Sequence, residues 1–239
     1  MMKRYPEPID IYALWIKEEL EVSVLPYLPH FSPKRQQDIL VYRRSSDRNR
    51  TMWAELLARY LLCTLASADW SNVYVERSQG GKPYGKVWTK SEEESWAISL
   101  SHSGSWILCS IGQGESGVDV ETETEAWEEI AERFFLPQEA KFLQKMPPLC
   151  RKQAFLCYWT IKESYLKYTG EGLTGDLSKI DCDALWRGTK TLAGKNYLLP
   201  DGAVAGICAR RDCLPTQIRF ISLEILKDFL ETKSKVNVK

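Results

Sequence analysis

The chain has 239 residues, 44% hydrophobic and 27% charged, an ordinary globular composition that supplies a core for one large domain or two small ones. Thirty-two Lys and Arg balance 32 Asp and Glu, so the basic surplus of a general nucleic-acid binder is missing. No apolar run approaches the roughly 18 residues of a membrane span, and the short stretch 9–16 follows two prolines and runs into Lys17-Glu18-Glu19, so neither a signal peptide nor a membrane protein is expected, and a cytoplasmic location is.

In chain order, residues 9–16 read as a strand. Ser32-Pro33 is a helix cap with proline at the first helical position. Two basic, polar segments flank a break at Ser45-Ser46-Asp47, and residues 50–66 are strongly helical. A short strand over 73–76 precedes the turn Gly80-Gly81-Lys82-Pro83, and Glu92-Glu93-Glu94 reads as a solvated excursion. Residues 96–101 and 106–111 form a strand pair around Ser101-His102-Ser103-Gly104, and a third strand covers 117–121. Helices follow at 125–133, 137–145 and 149–167, the last closed by Gly170 and Gly172. Residues 180–219 alternate β-prone pieces with Gly, Asp and Pro, before a terminal stretch and a Lys-rich tail from Lys233. The order predicts an α+β protein of two similar halves meeting near 112–117, with an N-terminal lobe over 1–112 and a C-terminal lobe over 113–239.

Seven scattered cysteines without a C-x-x-C pair exclude a disulfide framework and a zinc ribbon. With only His30 and His102, a three-histidine metal site is impossible. Gly112-Gln113-Gly114-Glu115-Ser116-Gly117 matches the dinucleotide fingerprint, but the strand pattern Val118-Asp119-Val120-Glu121 stands where a helix must receive the pyrophosphate, so the glycines read as a hairpin loop. Asp119 and Glu121, two apart on a strand, share a face. Either that face is simply solvated, or a hard cation such as Mg²⁺ or Ca²⁺ neutralises the pair. On the helix, Trp159, Glu163 and Lys167 share a face at i, i+4 and i+8. Glu163 is then a third oxygen ligand and Lys167 a phosphate holder, or the two are an ordinary surface pair.

Gly81-Lys82-Pro83, Ser101-His102-Ser103-Gly104, Gly117-Val118-Asp119-Val120-Glu121 and Trp159-Thr160-Ile161-Lys162-Glu163-Ser164 occur in this order. Together they resemble the 4′-phosphopantetheinyl transferases of the long, two-lobed type that activates surfactin synthetase. The likeness extends upstream to Ser32-Pro33 and Arg48-Asn49-Arg50-Thr51, and runs through Arg133-Phe134-Phe135 and Glu139 to about residue 173.

The resemblance implies two pseudo-symmetric lobes, each a small antiparallel sheet packed on helices, with coenzyme A in the cleft between them. It implies Mg²⁺ on Asp119, Glu121 and Glu163, Lys167 on the coenzyme A pyrophosphate, and Lys162 beside the site. Lys82 and Pro83 look like the adenine-side loop, and Arg35, Arg50, Thr51, Ser101 and His102 like residues holding the 3′-phosphate and its neighbours. Glu163, Glu139 or a metal-bound water are the candidates for general base. Asp38 departs from the pattern, standing where some relatives carry a second basic residue, with Lys34 nearby, and the segment 85–95 is longer than in close relatives. A Ser101–His102 hydrolase is a poor alternative, because adjacent strand residues point to opposite faces. The implied activity is transfer of the 4′-phosphopantetheine arm to a serine of an apo acyl or peptidyl carrier protein, with release of 3′,5′-ADP. The competing readings are a non-catalytic paralogue that binds coenzyme A or carrier proteins, and a different Mg²⁺-dependent nucleotide enzyme. Two lobes in one chain form a cleft without a partner subunit, so a monomer is expected.

Overall fold

A computed structural model describes residues 9–89, 92–123 and 126–234. The first apolar stretch forms strand β1 (Asp10–Trp15), in which Tyr12 and Leu14 enter one core while Ile11 and Ala13 enter another. A strand apolar on both faces needs cover on both sides, and the rest of the chain supplies it. Ser32 accepts a hydrogen bond from the Arg35 N–H and Pro33 fills the first position, so helix α1 (Pro33–Leu40) starts where its cap dictates. Helix α2 (Ser45–Leu65) follows; its first turn begins at the serine pair read as a break. Strands β2 (Val73–Arg77), β3 (Pro83–Trp88), β4 (Glu93–Ser103) and β5 (Trp106–Gly112) then form an antiparallel meander onto β1.

The second half starts with β6 (Ser116–Glu121) and continues through α3 (Trp127–Phe134), α4 (Pro137–Lys145), α5 (Pro148–Thr169), α6 (Cys182–Arg187), β7 (Leu192–Leu198) and β8 (Val204–Arg210). The strands form a three-stranded antiparallel sheet in the order β6-β8-β7. Strand β9 (Arg219–Ile221) and helix α7 (Leu223–Ser234) then return to the first half. β9 pairs in parallel with β1 and completes a six-stranded sheet, β2-β3-β4-β5-β1-β9, while Leu223, Leu226 and Leu230 of α7 join the core around α2.

The layers run α2, large sheet, small sheet, α5. Ile107, Cys109 and Ile111 of β5 face the α2 core, whereas Trp106 and Leu108 face Val118, Val120, Ala205 and Ile207 of the small sheet. Gly117 and Gly206 let the small sheet press onto α5: a Cβ on Gly117 would lie 2.0 Å from the Ser164 carbonyl oxygen, and one on Gly206 would lie 2.6 Å from that of Thr160. The last glycine of the G-x-G-x-x-G run thus serves a strand–helix contact rather than a pyrophosphate. Among the described residues no helix is long and apolar enough to cross a membrane.

The α+β architecture of two sheets packed on helices is as expected. Besides the start of α2, the strand β3 beyond the turn at 80–83 and the helix α6 within the stretch read as β-prone, three details differ. The acidic run at 92–94 is not a free excursion: β4 begins at Glu93, where Lys86 lies between Glu76 and Glu93 at 3.4 Å from each. The boundary at 112/113 falls between β5 and β6, but residues 219–234 belong to the first lobe, because β1 offers a free edge and α2 an uncovered apolar flank. The lobes are also unequal, six strands against three. Gly117→Ala should force β6 off backbone atoms of α5, which cannot swing away as a side chain can. A loss of about 3 kcal/mol is expected in urea unfolding, at the top of the overpacking range; an unchanged midpoint would show that the contact yields.

Candidate active site

The two sheets meet along a seam of serine hydroxyls. β6 is an edge strand, and an edge presents a row of N–H groups that need partners when buried. The N–H groups of Val118, Val120 and Thr122 donate to the hydroxyls of Ser99, Ser101 and Ser103 on the face of β4 at 3.0, 3.3 and 3.4 Å. The β6 residues between those amides include Asp119 and Glu121, so the seam carries both carboxylates toward α5. Ser101 donates to Asp119 Oδ1 at 2.8 Å, and Ser103 to Glu121 Oε2 at 2.8 Å. From α5, Lys167 Nζ donates to Asp119 Oδ1 at 2.7 Å and to Ser101 Oγ at 2.9 Å.

A cleft of about 370 Å³ opens at this point, lined from the first lobe by Thr51, Pro83, Ser101 and His102 and from the second by Asp119, Glu121 and Lys167. Asp119 is 4% exposed, and its Oδ2 is buried with no hydrogen-bond partner. Burial and the neighbouring Asp119 push the Glu121 carboxyl up to about 7, with Glu163 adding to the effect. The same two causes, burial and then Asp119, raise Glu163. Three carboxylates and one ammonium leave surplus negative charge in a poorly hydrated place.

That donor set fits Mg²⁺. The ion takes hard oxygens, usually one or two protein carboxylates with water and substrate phosphates completing its shell, and an orphaned carboxylate oxygen beside a destabilised glutamate is a site a divalent cation would stabilise. Among the described residues no three acidic, His or Cys side chains form a ready-made cage, so the expected trio is not assembled as one: Asp119 and Glu121 line the cleft and Glu163 does not.

The residues expected on the nucleotide side fall into two places. Thr51, Pro83 and His102 line the cleft itself. Arg50, next to Thr51 on α2, donates to the Gly104 carbonyl at 2.9 Å and to Asp47 at 2.6 Å, which fixes its guanidinium near His102. Burial, then Arg50 and Lys167, hold the His102 imidazole below its ordinary value. Arg35 lies in an adjoining cavity of about 660 Å³, ion-paired with Glu55 at 2.7 Å, with Asp38 at 3.8 Å. Its Nη2 is buried without a partner. Lys82 bridges the lobes, donating to Glu115 at 2.5 Å and to the Tyr168 carbonyl at 3.2 Å. Arg77, which no motif singled out, lines both cavities, and burial and the nearby Arg35 lower its pKa. It sits at the end of an ordinary polar strand, where sequence offers no signal.

Three expected site residues have other work. The Lys162 ammonium and the Glu139 carboxylate form an ion pair at 2.8 Å with both side chains fully buried. Lys162 also donates to the carbonyls of Leu177 and Ile180, and Glu139 accepts from the amides of Leu136 and Cys182. One residue from Glu163 on a helix is about 100° around the axis, so Lys162 enters the core of the second lobe and not the cleft. Glu139, with both oxygens engaged there, is unsuited to act as a base. Ser101 does face the cleft, but its single proton goes to Asp119, so it orients the carboxylate instead of donating to a phosphate.

Two measurements check these placements. Lys162→Met should strand a buried carboxylate and cost about 3–5 kcal/mol in urea unfolding; a stable variant with impaired ligand binding would return Lys162 to the cleft. Arg50→Ala should raise the pH midpoint of the His102 imidazole, readable by NMR because the chain has only two histidines; an unmoved midpoint would separate the two residues.

Comparison with known proteins bears on the same region. Residues 21–112 match the family model described as 4′-phosphopantetheinyl transferase, N-terminal, and residues 115–209 match that of the 4′-phosphopantetheinyl transferase superfamily. The 4′-phosphopantetheinyl transferase Sfp of Bacillus subtilis is 24% identical over 91% of this chain and 100% of its own length. The 4′-phosphopantetheinyl transferase gsp of Aneurinibacillus migulanus is 29% identical over 69% of this chain and 67% of its own. HetI of Nostoc sp., also a 4′-phosphopantetheinyl transferase, is 32% identical over 55% of this chain and 54% of its own. The two models meet at the β5–β6 turn, on either side of the cleft, and the chain belongs to the 4′-phosphopantetheinyl transferase superfamily as an enzyme of its long, two-lobed type.

Proposed function

We propose that this enzyme moves the 4′-phosphopantetheine arm of coenzyme A onto a serine hydroxyl of an apo acyl or peptidyl carrier protein, in a Mg²⁺-dependent reaction that releases 3′,5′-ADP in the cytoplasm. The observation that carries the reading is the meeting of Asp119, Glu121 and Lys167 with Thr51, Pro83 and His102 in one interlobe cleft. Mg²⁺, held by Asp119 and Glu121, supplies charge neutralisation on the pyrophosphate when bound. Lys167 stands within hydrogen-bond reach of Asp119 and so beside any phosphate oxygen near that carboxylate. There it stabilises the charge that grows on the leaving phosphate as the bond to phosphorus breaks. His102 and Thr51, which line the cleft, are assigned to the 3′-phosphate end, with Arg50 beside His102 and Arg77 as an added cation between the two cavities.

The carrier serine forms the new P–O bond, and its proton must leave. Glu163 is assigned as the acceptor: its carboxyl is half-buried on α5, four residues from Lys167, and makes no hydrogen bond to a described residue, so its oxygens are open to take a proton. Because both lobes of one chain enclose the cleft, the monomer suffices.

The test is to incubate the protein with coenzyme A, Mg²⁺ and a panel of apo carrier proteins and weigh the carriers by mass spectrometry. Gain of one phosphopantetheine arm is expected, and a panel left unmodified would favour a non-catalytic binder. Asp119→Asn keeps the shape and removes the charge, and should cut turnover by roughly 100-fold or more, the loss typical of one charge-stabilising group. Lys167→Ala should depress kcat more than it raises the KM for coenzyme A, since its contact strengthens as charge develops; the reverse pattern would make it a ground-state anchor.

A further inference from the structure

The three seam serines are not equivalent. Each accepts one amide of β6, and each has one proton to give. Opposite Ser99 the β6 residue turned toward α5 is Gly117, which has no side chain; opposite Ser101 it is Asp119, and opposite Ser103 it is Glu121. Ser99 is therefore an edge cap alone, whereas Ser103 is an edge cap that also donates to Glu121 Oε2 at 2.8 Å. Thr122 Oγ1 lies 3.3 Å from the same hydroxyl and confines it further.

Glu121 needs such a hold more than Asp119 does. Asp119 is short, deeply buried and gripped at Oδ1 by both Ser101 and Lys167. Glu121 is longer by one rotatable bond and only half-buried at the end of β6, and Ser103 is its one described hydrogen-bond donor. Without that bond the carboxylate is free to swing out to water, away from its neighbours Asp119 and Glu163.

We infer that Ser103 is a positioning residue for the divalent-cation site: it orients the Glu121 carboxylate and acts through it, touching neither coenzyme A nor the carrier. The inference rests on the reading of Asp119 and Glu121 as the cation-holding carboxylates. Hydrogen-bond partners of ligating carboxylates typically change metal affinity by 10–100-fold when removed, and Ser103 is placed to be one.

Mn²⁺ binding to the whole protein with coenzyme A present, followed by electron paramagnetic resonance, tests this without turnover; the Mg²⁺ dependence of transfer is read beside it. Ser103→Ala should weaken Mn²⁺ binding roughly 10–100-fold and raise the Mg²⁺ needed for half-maximal rate, with little change in the KM for coenzyme A. Ser103→Thr keeps the hydroxyl and should restore both. Ser99→Ala loses the same kind of amide contact, so it should lower the melting temperature yet bind Mn²⁺ like the unsubstituted protein. Ser103→Cys, similar in size but a weak donor, gives the same reading if the alanine variant does not fold. Unchanged Mn²⁺ affinity in Ser103→Ala or Ser103→Cys overturns the inference, as does equal weakening by Ser99→Ala. Should the unsubstituted protein bind no Mn²⁺ and transfer nothing, the functional reading itself falls and takes the inference with it.

Discussion

The seam between β4 and β6 is the constraint on which the site depends. Two sheets packed face to face ordinarily meet through apolar side chains, and those of Leu108, Val118, Val120 and Ile207 do so here. At the edge of the small sheet that solution fails, because backbone amides would be buried without partners. Serines at every second position of β4 solve it, and their spacing matches the two-residue period of β6. The register they impose puts two acidic side chains on the wall of the cleft. A polar interface between lobes and a charged site are thus one arrangement, with Ser101 and Ser103 belonging to both.

Held this way, the site is electrostatically unsatisfied. Asp119 keeps a bare buried oxygen, burial and Asp119 push Glu121 up to about 7, and a single ammonium answers three carboxylates. The same chain satisfies a buried charge completely elsewhere: Lys162 and Glu139 have each other and four backbone groups. Folding alone would favour filling or removing the lone oxygen of Asp119, so its persistence points to a partner that arrives from solution.

Much of this was legible in the sequence, and the boundary is physical. The two-residue period of a strand places Asp119 and Glu121 on one face, and helical spacing places Glu163 and Lys167 on another, with no knowledge of what lies opposite. Caps and prolines mark the starts of α1 and α4. What fails is inference from proximity along the chain. Lys162 adjoins Glu163 but lies around the helix from it, and Glu139 sits in a family-like stretch yet caps α4 from inside the core. Arg77 reaches the cleft only because β2 and β3 fold over α2, and the return of residues 219–234 hangs on a three-residue strand too short to carry a pattern.

That return bears on how the protein is made. β1 leaves the ribosome well before its partner β9, which lies about two hundred residues further along the chain, as the registers Tyr12 with Arg219 and Leu14 with Ile221 require. Domains usually fold as units during synthesis, the first before the next is complete. Here the first lobe waits for the second: until residues 219–234 emerge, one edge of β1 and the flank of α2 stay open to water. The small lobe, contiguous from β6 to β8, has every segment it needs earlier. The half encoded second therefore has the means to close first, and β9 and α7, which follow it along the chain, act as the clasp that completes the half encoded first.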